Sequence, residues 1–302
     1  DENSVKACLP VLDAEGVESV AIGFLHAYAN PAHEIRTAEI VAAARPGLSI
    51  TLASEAAPEI REYERLSTAV ANAYVRPMME RYLRRLETEL ARLGFDCAFL
   101  MITSGGGLTT LDTAARFPIR LVESGPAGGA VLAAAMARDL DLPALLSFDM
   151  GGTTAKLCLI DNFEPMTART FEVDRSYRFK KGSGLPVRIP VIEMVEIGAG
   201  GGSIAHVDQL QRLQVGPESA GSEPGPTLYR RGGTRPTVTD ADAVLGRIAL
   251  ERFAGGTMAL DIEAAQESIA RGIGRPLGFK LDMAAYAISE VVDENMSAAA
   301  RA

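Results

Sequence analysis

Apolar residues along the chain fall into short runs bounded by glycine, proline and small polar residues, alternating with longer stretches of helical spacing. Val20 to His26 reads as a buried strand. The Asn30-Pro31 break then predicts a helix over 32–44 and a strand over 49–53, together a β-α-β unit. From 62 to 93, Leu66, Val70, Ala73, Tyr74, Met78, Tyr82, Leu86, Leu90 and Leu93 recur at helical spacing, with Pro77 placed to bend or divide the helix and Gly94 to end it. A strand over 98–103 runs into Ser104-Gly105-Gly106-Gly107. That loop is either a flexible turn or a ligand loop of the kind that closes the strand ends of open α/β sheets. A helix of small residues opened by Ser124-Gly125-Pro126-Ala127-Gly128-Gly129 follows, suited to close backbone approach and to an anion at its N-terminus.

Residues 145–160, LLSFDMGGTTAKLCLI, hold two apolar runs of strand length joined by a polar bend. Gly151 and Gly152 remove the Cβ atoms that would keep a phosphate from the backbone, and Thr153 and Thr154 add hydroxyls. Asp149 is suited to a hydrated magnesium ion. A tight Gly-Gly hairpin turn with an exposed Asp fits the same residues. Beyond the bend, strands are expected over 166–173 and 191–197, with an irregular loop over 174–188. Gly198 to Ser203 follow the second of these strands, either as a wide turn or as a place where a flat or anionic ligand approaches. The segment 215–240 carries four prolines and five glycines, but Leu228, Tyr229 and a Thr239-Asp240 cap point to an ordered loop folded over the site, with a helix starting near Ala241. Amphipathic helices over 261–273 and 282–302 complete the pattern.

Composition narrows the function. A net charge of -9 over 302 residues, with no basic cluster longer than Arg84-Arg85 or Lys180-Lys181, argues against nucleic acid and anionic membranes as partners. Cys8, Cys97 and Cys158 are widely spaced in apolar surroundings, which suits buried reduced thiols in a cytoplasmic protein. No apolar run reaches transmembrane length. His26, His33 and His206 stand apart and read as structural or surface residues. The chain starts at Asp1 and is expected to be a segment of a longer protein.

Seven stretches together resemble the hydantoinase A and 5-oxoprolinase family: LHAYANPAHE (25–34), PEIREYER (58–65), SGPAGG (124–129), FDMGGTT (148–154), GAGGGSI (198–204), VGPESAGSEPGP (215–226) and GGTRPTVTDADAVLGR (232–247). The resemblance implies an α/β fold of the actin-like, ribonuclease H-like ATPase class, with mixed sheets flanked by helices and without the family's first phosphate loop. It implies the remainder of an N-terminal domain over 1–120 and a core domain over 121–302. It also implies ATP-dependent ring opening of a cyclic amide such as a hydantoin or 5-oxoproline, by phosphorylation of the amide oxygen and attack of water.

In that resemblance Asp149 holds Mg²⁺ (or Mn²⁺) or orients water, and Gly151, Gly152, Thr153 and Thr154 hold phosphate. Gly200, Gly201, Gly202 and Ser203 line the nucleotide, while Ser124, Gly125 and Gly128 lie near phosphate or substrate. The family's Gly-Gly-Thr-Ser-Thr-Asp pattern is broken here by Ala155 and Lys156, which makes Lys156 a candidate phosphate contact or the mark of a subgroup. The implied partners are a hydantoinase B-like subunit and a second copy of the chain, and the chain alone is expected to have little ATPase activity. Acetone- and acetophenone-carboxylase subunits share the motifs, so a ketone ligase is the alternative. A nucleotide-binding module without turnover comes next, and a sugar kinase last, because the loop at 215–240 has no place in it.

Overall fold

The computed structural model describes residues 1–176 and 182–301, so the Lys180-Lys181 pair lies outside the described residues. The Asp1 carboxylate accepts the Asn3 N–H and starts helix α1 (Glu2–Ala14), which the apolar pattern does not signal because none of its side chains is buried. Strands β1 (Ser19–Ile22) and β2 (Ser49–Leu52) then pair in parallel from Ser19 opposite Ser49 to Ile22 opposite Leu52, with helix α2 (Ala32–Ala44) between them. This is the expected β-α-β unit. Its first strand stops at Ile22 and does not reach His26, because the Phe24 N–H leaves the ladder and donates to Glu34.

After a turn of helix, α3 (Ala53–Ala56), comes α4 (Glu62–Arg92), one helix through Pro77 that ends at Leu93 and at Gly94 with φ +89°. Its buried face corrects the expectation from spacing. Arg65, Ser67, Thr68, Ala69, Asn72, Ala73 and Leu83 are buried, whereas Val70, Tyr74, Met78 and Tyr82 are 57, 86, 61 and 56% exposed. Polar partners decide the orientation: buried Asn72 donates to Thr51 Oγ1 and the Arg116 carbonyl and accepts the Ile119 N–H.

The next expectation also changes. Strands β3 (Leu100–Ile102) and β4 (Leu108–Thr110) form a separate antiparallel pair, so the glycines at 105–107 are its hairpin turn and not the end of an open sheet. Gly106 has φ +81°, and a Cβ there would lie 2.8 Å from Val131. Helices α5 (Leu111–Arg116) and α6 (Ser124–Asp139) follow; α6 buries Ala127, Ala130, Ala134 and Ala137.

The expected hairpin is present as β5 (Ala144–Met150) and β6 (Ala155–Asp161), adjacent strands of one sheet. Short strands β7 (Glu164–Pro165), β8 (Thr167–Ala168), β9 (Phe171–Val173), β10 (Leu185–Val187), β11 (Val191–Ile192) and β12 (Val195–Ile197) break up the strands expected over 166–173 and 191–197. The supposed loop over 174–188 contributes β10, which pairs with β9. Strands β13 (Ser203–Val207) and β14 (Leu213–Ser219) form a ribbon. Among the described residues the α-helices α7 (Val238–Val244), α8 (Ile262–Ile269), the single turn α9 (Arg275–Leu277) and α10 (Leu281–Arg301) follow.

Residues 1–145 and 160–193 form one compact unit, and 146–159 with 194–302 form the other. In the second unit Ala155 and Leu157 of β6 pack with Ile197, Ala205, Val215, Val238, Ile269 and Ile288 in one core. Cys158 is buried as expected, but Cys8 and Cys97 are exposed. Among the described residues no helix is long and apolar enough to cross a membrane.

Candidate functional site: the bend between β5 and β6

The second unit builds its bend from backbone. The Gly151 N–H donates to the Thr154 carbonyl at 2.9 Å and closes a tight turn, leaving Gly151, Gly152 and Thr153 exposed and Thr154 half-buried. The N–H groups of Gly152 and Thr153 have no protein acceptor among the described residues. Two free amides beside two threonine hydroxyls form a set of donors that suits an anion, and the exposed Asp149 carboxylate nearby adds an acceptor suited to a cation.

The glycine loop 198–203 lies against this bend and holds it. Gly201 N–H donates to the Gly151 carbonyl at 3.0 Å, and Gly202 N–H to the Gly152 carbonyl at 2.6 Å. A Cβ on Gly200 would lie 2.6 Å from the Gly151 oxygen, and one on Gly202 would lie 2.8 Å from the Gly152 oxygen. The small residues therefore serve contact between two backbones. Their amides are already satisfied: Gly200 N–H donates to Ser203 Oγ at 2.9 Å, and fully buried Ser203 folds back on its own loop. The backbone donors left without an acceptor among the described residues narrow to Gly152 and Thr153, whose neighbours Gly151 and Gly152 are bonded through their carbonyls to Gly201 and Gly202.

A further layer, which sequence reasoning placed imprecisely, fixes the loop. Thr237, not Thr239, caps α7 in a capping box with Asp240. Thr239 donates from both its N–H and its hydroxyl to the Gly201 carbonyl, at 2.7 and 2.8 Å. Asp240 is fully buried and accepts the N–H groups of Thr227, Leu228 and Thr237, which orders the stretch between β14 and α7; the loop expected over 215–240 gives up its two ends to those elements. The signal was present as a Thr-x-x-Asp pattern at 237–240.

The hydantoinase/oxoprolinase model matches residues 65–302, and the model of that family's N-terminal region matches 1–44. The chain belongs to the hydantoinase/oxoprolinase family. Caprolactamase subunit alpha of Pseudomonas jessenii is 36% identical over 98% of this chain and 41% of its own length. For the acetophenone carboxylase gamma subunit of Aromatoleum aromaticum the figures are 36%, 99% and 40%. The nucleotide-free structure of acetone carboxylase, an ATP-dependent enzyme, superposes with a TM-score of 0.80 at 25% identity, covering 98% of this chain and 41% of that one. The mixed α/β architecture is thus the hydantoinase-type fold, and the chain spans about two fifths of the length of these relatives.

Within this family member the remaining expected site residues divide between the two units. Lys156 belongs with the bend: it stands directly opposite Glu196 on β12, with Nζ 3.9 Å from the carboxylate, on the face of the sheet away from Ala155 and Leu157. Burial holds its ammonium below the usual lysine range, and Glu196 partly offsets that effect. Ser124, Gly125 and Gly128 belong to the other unit, in the first turns of α6, where a Cβ on Gly128 would touch Ile102 at 3.1 Å. For a metal ion, the described residues hold no group of three or more His, Cys, Asp or Glu side chains. Asp149 can therefore give a divalent cation one carboxylate, and phosphate oxygens and water would have to complete the shell.

Proposed function

We propose that the protein to which this chain belongs opens a cyclic amide at the expense of ATP, through phosphorylation of the amide oxygen and attack of water on the activated ring. The observation that carries the reading is the bend at 151–154, where two exposed amides without protein acceptors stand beside the hydroxyls of Thr153 and Thr154 in a family with an ATP-dependent caprolactamase among its members. ATP, with Mg²⁺ or Mn²⁺, supplies the transferred phosphoryl group. The chain's own part is positioning and charge. Gly152 and Thr153 donate N–H groups to phosphate oxygens, Thr153 and Thr154 add hydroxyls, and Asp149 holds the cation or orients water. The 200–203 loop keeps the bend in one shape, so little reorganisation remains at the moment of transfer. A hydantoinase B-like subunit is the proposed partner, since the caprolactamase and acetophenone carboxylase relatives are each named as one subunit of an enzyme.

ATP-dependent carboxylation of a ketone is the second reading, favoured by the likeness to acetone carboxylase. The deciding experiment gives the intact protein and its partner subunit ATP with hydantoin, 5-oxoproline, caprolactam, or acetone plus bicarbonate. Phosphate release coupled to ring opening is expected, and Asp149→Asn should lower that turnover at least about a hundredfold. Coupling only to ketone and bicarbonate would replace the hydrolase with the ligase, and full turnover by Asp149→Asn would remove Asp149 from the mechanism.

A further inference from the structure

A second polar cluster gathers in the first unit, where the parallel strands β1 and β2 end. Glu34 is fully buried and ties together the two segments that leave these strands: its carboxylate oxygens accept the Phe24 N–H at 3.0 Å and the Ser54 N–H at 2.8 Å. Arg65 is 1% exposed and donates to the carbonyls of Phe24 and Glu59, at 3.0 and 2.9 Å, and to the Glu62 carboxylate at 3.2 Å. Glu62 also accepts the His26 N–H at 3.2 Å, and the Arg65 guanidinium lies 5.5 Å from the centre of the Tyr28 ring.

Two features of this cluster exceed what holding a loop requires. His26 has φ +56°, and Arg61 has φ +81° with ψ +104°, a combination that suits glycine, yet both positions carry large exposed polar side chains. Strain of this kind collects at ligand sites, where the side chain is needed in spite of the backbone it demands. In addition, Arg65 Nε and Ser54 Oγ are shut from water and have no hydrogen-bond partner among the described residues, although groups so buried are normally satisfied. Tyr28, 38% exposed, lies over the Arg65 guanidinium with the His26 ring edge-on to it at 6.2 Å, and Tyr63, 66% exposed, stands in the first turn of α4. Ligands of parallel α/β sheets gather at the C-terminal ends of the strands, and Ile22 and Leu52 are those ends.

We infer that His26, Arg61 and Tyr63, set on the frame of Glu34, Glu62 and Arg65, form the recognition site for the ring substrate, a small lactam or hydantoin. Naming that ligand class rests on the ring-opening function proposed above. Such a ring has an apolar hydrocarbon face and an amide edge with at least one N–H donor and one C=O acceptor. The exposed aromatic side chains match the face, and an imidazole, which can donate or accept, matches the edge. A ring that carries a carboxylate would also meet the Arg61 guanidinium.

Saturation-transfer NMR on the intact protein, with hydantoin, 5-oxoproline and caprolactam as probes, tests this directly. Transfer to at least one ring is expected. His26→Asn, which keeps a residue at ease with positive φ, and Tyr63→Ala should each weaken the apparent affinity about tenfold with little change in melting temperature. Binding of none of the three rings, or binding untouched by both substitutions, overturns the site. A separate titration with a fluorescent ATP analogue reports on the bend. Ring binding that is sensitive to His26 and Tyr63, without nucleotide binding, supports the recognition site and counts against the ATP-dependent function; nucleotide binding without any ring binding does the reverse.

Discussion

The bend at 151–154 and the loops at 23–28 and 58–61 place demands on the backbone that the chain meets by opposite means. Around the bend, glycines meet the need: Gly200 and Gly202 let one backbone rest on another with no side chain between them. At the ends of β1 and β2, non-glycine residues take left-handed conformations and are held there by Glu34, Glu62 and Arg65. Where only close approach matters the side chain is absent. Where it is retained at a conformational cost, at His26 and Arg61, we assign that cost to the ring contact inferred above.

Substitution separates the two cases. The largest effect is expected for Gly200→Ala, whose new Cβ would strike the Gly151 oxygen with no flexible group able to yield; we expect a loss of about 3 kcal/mol in urea unfolding. An unchanged midpoint would mean that the two loops do not bear on each other. Arg61→Gly should act in the opposite direction, raising stability by about 1 kcal/mol as strain is relieved, while ring binding weakens. A gain in stability with binding intact would reduce Arg61 to a badly fitting residue. The smallest effect concerns pH. The His26 N–H and then the Arg65 guanidinium hold the Glu62 carboxyl below its usual value of 4.5. Its contribution is therefore complete above pH 4.5 and is lost as pH falls through the lowered folded-state value. Glu62→Gln should be less stable than the parent at pH 6, and the difference should close as pH falls through the lowered folded-state value.

Much of the frame was legible from residues. Helix α2 fills 32–44, and α4 runs from Glu62 to Arg92 where the spacing indicates it, because capping, proline and glycine signals are local. The inward side of α4 was not legible. Asn72 and Arg65 are buried by partners distant in sequence, such as Thr51 and Phe24, and no periodicity reports those. At the candidate site the bend itself could be read from Gly-Gly-Thr-Thr, but the division of labour between its amides and those of Gly200 to Gly202 could not. Which N–H groups are already satisfied depends on a contact between segments about fifty residues apart. The cluster at His26 and Arg61 escaped for a related reason: a positive φ at histidine or arginine leaves no trace in composition.

The chain passes from one compact unit to the other three times, at 145–146, 159–160 and 193–194. Neither unit is therefore a contiguous stretch of coding sequence. Removing residues 1–193 would not free a second domain, since it would also delete the segment that supplies Ala155 and Leu157 to that unit's core and the bend on which Gly200 to Gly202 rest. Recombination at a single crossover cannot exchange either unit intact, so these two bodies are constrained to be inherited, and altered by insertion or duplication, as one genetic block.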